Sequence, residues 1–187
     1  MVLLGASVGG MLAYEVAART DVASAVLATC LLDPSDPAAL KAGVRFGFLG
    51  PVAPTLLRIG SRLAGRLRAL IRWAVTLDAM SRDPNLSRLC ATDPRGGGTK
   101  VPLGWMSSFL QHVPPAPETF TGTAVTLVHP ELDTWTPPEL SLRFLERIAA
   151  PTRSVLLTNC GHFPIEQPGV NQLEETLLDA ISAVANR

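Results

Sequence analysis

Two kinds of hydrophobic pattern alternate at both ends of this chain. Val2-Leu3-Leu4 is short, continuously apolar and stopped by Gly5, as in a strand buried on both faces. From Val8 to Arg19, Leu12 and Val16 with the small Ala13 and Ala17 return at helical spacing. Ser24 to Leu32 (SAVLATCLL) is again continuous and reads as a buried parallel strand, before Asp33-Pro34-Ser35-Asp36-Pro37 breaks the chain. Strand, tight turn, helix and strand make half of a βαβ crossover and point to a parallel sheet. The same grammar resumes at Thr123, with a strand from Thr123 to Val128 and a helix from Pro137 to Ile148. A strand from Ser154 to Leu157 follows. A closing amphipathic helix, Pro168 to Ala185, runs through Leu173, Leu177, Ile181 and Val184.

Between these flanks the pattern changes. Leu56, Leu63, Leu67, Leu70, Ile71 and Leu77 recur at helical intervals, with Arg58, Arg62, Arg66 and Arg72 beside them. This predicts an amphipathic helical segment, with Pro51 and Pro54 as its start signals. The arginine stripe fits a solvated helix face better than an anion site. Gly96-Gly97-Gly98-Thr99-Lys100 lacks the residue order and the preceding strand of a phosphate-binding loop, and reads as a flexible loop. The expectation is an α/β core from residues 1–37 and 120–187, interrupted by a helical insertion over 38–119.

Composition narrows the function classes. The chain has 187 residues, enough to bury a full core, and its 17% charged residues with 47% hydrophobic ones exclude a largely disordered chain. Sixteen basic residues balance sixteen acidic ones, which removes the simplest case for a nucleic-acid partner. The distribution is uneven. Residues 41–100 hold eleven cations and three anions, whereas the remainder holds five and thirteen. The cationic segment suits docking on an acidic body or attraction of anionic substrates, peripheral contact with anionic lipid among them. Cys30, Cys90 and Cys160 are odd in number and widely spaced, fitting neither a disulfide framework nor a zinc site, so a reducing, cytoplasmic setting is expected. The apolar N-terminal stretch lacks a cationic start and contains Glu15, unlike a signal peptide. No charge-free apolar run approaches the length of a membrane span.

The chemistry concentrates at three places. Gly5-Ala6-Ser7-Val8-Gly9, followed by Gly10, matches G-x-S-x-G between a predicted strand and a predicted helix. That context is a sharp turn that exposes a strained serine at a helix N-terminus, where N–H groups favour developing negative charge. A serine hydroxyl needs a base held by an orienting acid. His162 lies just past the last predicted strand, His129 ends the strand before it, and His112 sits in the insertion. Asp133 follows a strand end, while Asp33 and Asp36 follow the strand after the serine and compete for the acid role. His129, Glu131 and Asp133 alternate like metal ligands, but no fourth partner accompanies them.

On the blocks VLLGASVGGMLAYEVA, VTLVHPELDTWTPPELSLRFLERI and NCGHFPIEQPGVNQLEETLLDAI, the chain resembles α/β-hydrolases of the monoacylglycerol-lipase, lysophospholipase and esterase-like branch. The order Ser7, Asp133, His162 is the order these enzymes use. The resemblance implies Ser7 as nucleophile, His162 as base and Asp133 as acid, with the Val8 N–H as an oxyanion donor. Residues 38–119 fall where such enzymes carry a cap. It also implies a small or lipid-like ester substrate with no metal or organic cofactor. A cofactorless peroxidase or carbon–carbon bond hydrolase on the same scaffold, or a non-catalytic fragment acting by association, are the rival readings. In the family about four strands and two helices precede the elbow, and the loop that gives a second oxyanion donor lies among them. The 187-residue chain by itself is therefore expected to self-associate through its first strand edge. It is also expected to be at least about a hundredfold less active than a version extended upstream.

Overall fold

The computed structural model describes residues 1–43 and 52–186. The chain divides into two compact units, one of Met1–Leu32 with Pro114–Arg187 and the other of Asp33–Val113. The first unit holds β1 (Val2–Gly5), α1 (Val8–Arg19) and β2 (Ala25–Ala28). The second holds α2 (Pro37–Gly43), α3 (Ala53–Ala64), β3 (Arg68–Leu70), α4 (Ile71–Ala74), α5 (Pro84–Thr92), β4 (Lys100–Pro102) and α6 (Leu103–Leu110). The first unit then resumes with β5 (Val125–Pro130), α7 (Pro138–Leu145), β6 (Thr152–Leu157) and α8 (Gly169–Ala185).

The strands of the first unit form one parallel sheet in the order β1-β2-β5-β6. Helices cover both faces, which is why the strands read as continuous apolar runs rather than alternating ones. Successive side chains still point to opposite faces. Val26, Ala28, Val125 and Leu127 pack with Ala13, Tyr14 and Ala17 of α1 and Phe144 and Leu145 of α7. Leu27, Val128 and Leu157 pack with Leu173, Leu177 and Ala180 of α8 on the other face. Tyr14 anchors the first layer. It is fully buried, its ring lies edge-on to Phe120 and Phe144 at 5.1 Å each, and its hydroxyl donates to the Pro115 carbonyl. Burial, reinforced by Glu118, pushes its phenol up to about 12.

The second unit departs from its sequence pattern. Within the amphipathic helical segment expected over Leu56–Leu77, α3 ends at Ala64 and Arg68–Leu70 is a strand antiparallel to Lys100–Pro102. Two glycines explain the break. The Gly104 N–H donates to the Gly65 carbonyl at 3.0 Å and the Leu103 N–H to the Leu67 carbonyl at 2.8 Å. A β-carbon on Gly104 would sit 3.3 Å from that Gly65 oxygen, so the close approach of α3 and α6 depends on residues that period counting ignores. The described residues of this unit are thus helices with a small two-stranded sheet. Residues 96–98 form a hydrogen-bonded turn rather than a flexible loop: the Gly96 and Gly98 N–H groups donate to Asp93, and Gly97 to Cys90. The Gly97 carbonyl accepts from Arg72. Pro54 stands in the first turn of α3, whereas Pro51 lies outside the described residues. Among the described residues, no helix is long and apolar enough to cross a membrane.

Candidate active site

β1 feeds directly into α1 through a turn whose backbone only a few residue types tolerate. Ser7 has φ 52° and ψ −125°, a conformation that costs a non-glycine residue on the order of 1–3 kcal/mol. Its surroundings hold it there. The Ser7 N–H donates to Thr29 Oγ1 at 3.0 Å, and the Thr29 N–H donates to the Gly5 carbonyl at 2.9 Å. The Ser7 side chain makes no capping bond to α1, which leaves its hydroxyl for other partners. Val8 is the first residue of α1, so its N–H has no acceptor within the helix.

The glycines around Ser7 are not equivalent. A β-carbon on Gly5 would run into the Gly9 carbonyl, and one on Gly10 into the Cys30 carbonyl, both backbone atoms that cannot yield. One on Gly9 meets nothing within 4 Å. The sequence motif names Gly5 and Gly9, but the packing depends on Gly5 and Gly10. Gly10→Ala is therefore expected to destabilise the first unit by about 1–3 kcal/mol, and Gly9→Ala to leave it nearly unchanged. Thermal unfolding of the two variants checks the order.

Two loops at the carboxyl ends of β5 and β6 complete the site, the edge of a parallel sheet where ligand sites gather. They are tied together by the Leu132 N–H donating to the Cys160 carbonyl at 2.9 Å and the Glu131 N–H to Leu157 at 3.0 Å. Asn159 turns the chain after β6 with φ 64°, tolerable for asparagine. His162 and Asp133 project from these loops, their side chains 3% and 1% exposed.

The geometry is a chain of hydrogen bonds. His162 Nδ1 is 2.7 Å from Asp133 Oδ2, and His162 Nε2 is 2.8 Å from Ser7 Oγ. A carboxylate can only accept, so Nδ1 carries the proton and Nε2 offers its lone pair to the Ser7 hydroxyl. Asp133 Oδ1 accepts the N–H groups of Trp135 and Thr136, both at 2.9 Å. Burial alone would push the Asp133 carboxyl up. The His162 hydrogen bond and charge, with the Thr136 donors, outweigh burial and hold it below its ordinary range. Such an arrangement can take a proton from the hydroxyl onto the imidazole while the carboxylate steadies the resulting cation.

Other sequence candidates have partners of their own. Asp33 is occupied by its own turn, accepting the N–H and hydroxyl of Ser35, and Asp36 accepts from Ala38. His129 is fully buried with Nδ1 on the Pro130 carbonyl, and burial holds it toward the neutral form. His112 belongs to the Asp33–Val113 unit. The alternating His129, Glu131 and Asp133 do not converge: Glu131 accepts from the Asn159 N–H, and Asp133 faces His162. Three residues near the serine escaped the pattern search. Thr29 props the Ser7 backbone, Trp135 lays its ring against His162 with centroids 4.6 Å apart, and Thr136 contacts both Asp133 and His162. Thr29 is the residue just after β2, and the register of Gly5 on Ala28 sets it beside the turn.

A family model described as the alpha/beta hydrolase family matches residues 2–171. No curated protein sequence matches the chain. Among solved structures, the chain is similar to a monoacylglycerol lipase from Paleococcus ferrophilus at 18% identity and a TM-score of 0.64, with 97% of this chain and 68% of that one covered. It is similar to a soluble variant of monoglyceride lipase from Saccharomyces cerevisiae, in complex with a substrate analog, at 14% identity and a TM-score of 0.65, covering 93% and 58%. An alpha/beta hydrolase from a Penicillium species gives 18% identity and a TM-score of 0.62, covering 97% and 63%. At these identities the likeness is one of fold. The chain spans roughly three-fifths to two-thirds of the length of these relatives.

Proposed function

The chain belongs to the alpha/beta hydrolase family, and from that premise we propose that it is a serine hydrolase cleaving a carboxylic ester through an acyl-enzyme. The observation that carries this reading is the continuous hydrogen-bond chain from Ser7 Oγ through His162 to Asp133. In the forward step Ser7 Oγ attacks the ester carbonyl as its proton passes to His162 Nε2. The oxyanion accepts a hydrogen bond from the Val8 N–H at the start of α1. The imidazolium, steadied by Asp133, then gives its proton to the departing alkoxide, leaving acyl-Ser7 and free alcohol. Water repeats the sequence: its proton goes to Nε2, its oxygen to the acyl carbon, and the proton returns to Ser7 as the acid leaves. No step in this scheme uses a metal or organic cofactor.

The Asp33–Val113 unit fills the role of a cap in this reading, and a small or lipid-like acyl ester is the substrate class. An exposed strip on α3, Leu56, Ile59 and Leu63 beside Arg58 and Arg62, is suited to an amphiphile. The test is covalent capture. A fluorophosphonate probe incubated with the folded protein is expected to modify Ser7, located by mass spectrometry of the peptide that contains it. Modification confined to another residue overturns the assignment.

A further inference from the structure

Behind Asp133 lies a second set of polar side chains that the proposed mechanism does not use. Thr136 Oγ1 donates to Asp133 Oδ2 at 2.7 Å, on the same oxygen that receives His162 Nδ1. It also stands 3.2 Å from Nδ1 itself. Cys30, two residues past the end of β2, directs its thiol to Thr136 Oγ1 at 3.7 Å. Ser141 of α7 directs its hydroxyl to Cys30 Sγ at 3.8 Å and accepts the Leu31 N–H at 2.9 Å. Cys30, Thr136 and Ser141 are each at most 3% exposed.

The directions are consistent from end to end. Each hydroxyl or thiol has one hydrogen to give. The Thr136 hydrogen goes to Asp133, so its oxygen is left to accept from Cys30. Cys30 in turn accepts from Ser141, and Ser141 from a backbone amide that cannot rotate. Burial pushes the Cys30 thiol up to about 11, so it remains protonated and able to donate near neutral pH. Asp133 is then saturated: two backbone N–H groups on Oδ1, and His162 with the Thr136 hydroxyl on Oδ2. A threonine at this place with no such role would gain nothing from burying a hydroxyl, which costs free energy unless it is paired.

We propose that Thr136, backed by Cys30 and Ser141, is a positioning residue that fixes the Asp133 carboxylate against His162, so that Nε2 stays aimed at Ser7. The inference rests on the serine-hydrolase reading for its effect on rate, while its structural core stands on the hydrogen bonds alone. Thr136→Val preserves the shape and removes the hydroxyl. Asp133 Oδ2 then loses one of two donors in a site closed to water, the loss of one hydrogen bond to a charged group.

The experiment has two readouts on the full 187-residue chain. The first is the rate at which a fluorophosphonate probe modifies Ser7, together with kcat and KM for p-nitrophenyl acetate. Thr136→Val is expected to slow modification and kcat by about 10- to 100-fold with KM little changed, and Thr136→Ser to restore both to within about threefold. Cys30→Ala, which leaves Thr136 its hydroxyl but removes the thiol that donates to it and accepts from Ser141, is expected to cost about two- to fivefold. The second readout is the proton resonance of His162 Nδ1–H in histidine-labelled protein, expected to move in Thr136→Val and return in Thr136→Ser. A Thr136→Val protein with the wild-type modification rate and an unmoved resonance overturns the proposal. So does a Thr136→Ser protein as slow as Thr136→Val, because the methyl group rather than the hydroxyl would then matter. Absence of any Ser7 modification in the wild-type chain counts against the hydrolase reading instead, and the resonance alone then decides whether Thr136 holds the pair.

Discussion

Ser7→Ala is expected to reduce p-nitrophenyl ester turnover by on the order of 10⁴- to 10⁶-fold and to abolish fluorophosphonate labelling. The size of the effect follows from where the atom sits. Ser7 Oγ is 2.8 Å from His162 Nε2, on a backbone held in a conformation that few residues adopt. Losing the oxygen removes the only atom on that turn able to form a covalent bond to the acyl group. The base, the acid and the helix N-terminus remain, so residual turnover reports what they do for attack by water. The substitution is small and the Ser7 N–H to Thr29 bond belongs to the backbone, so the fold should survive. Circular dichroism alongside the assay verifies this. Labelling that persists in Ser7→Ala moves the nucleophile elsewhere and ends the assignment.

Asp133→Asn should cost about 10⁴-fold in kcat, against at most a few-fold for Asp33→Asn. An amide in place of the carboxylate presents N–H groups to His162 Nδ1 and favours the other imidazole tautomer, with a proton on Nε2 facing Ser7. A protonated Nε2 cannot accept from the hydroxyl. The variant also loses the charge that steadies the imidazolium. The Asp33 carboxylate closes its own turn by accepting the N–H and hydroxyl of Ser35. Parallel assays of the two variants give the ranking, and the reverse order would reassign the acid.

Much of the first unit is legible in the sequence alone. The four parallel strands and the helices α1, α7 and α8 fall within a few residues of where the hydrophobic runs and their breakers put them. That success has a local cause. A strand buried on both faces must be apolar throughout, a helix on a sheet must be apolar at one spacing, and proline and glycine mark where either stops. The elbow was legible for the same reason, because a strained turn between strand and helix is written in five consecutive residues. The second unit was less legible. The leucine spacing from Leu56 to Leu77 points to a helical segment, whereas pairing between Arg68–Leu70 and Lys100–Pro102 makes a strand within it. That pairing joins residues some thirty positions apart, and no local period encodes it.

What the sequence determined by itself was therefore the parallel α/β scheme, the serine turn and a short roster of acids and bases at strand ends. What only the tertiary structure decided was which members of that roster meet. Asp33 and Asp133 both follow strands and both precede prolines; the family resemblance favours Asp133, but no spacing along the chain brings either one to His162. The parallel register of β5 on β6 brings the loops after Pro130 and Leu157 side by side, so Asp133 lands 2.7 Å from His162. Gly10 against the Cys30 carbonyl, Thr29 under Ser7, and Thr136 between Asp133 and Cys30 are decisions of the same kind. A hydrogen bond or a close packing contact depends on tenths of an ångström between atoms. Chain segments separated by tens of residues acquire that precision only when the whole core has closed around them.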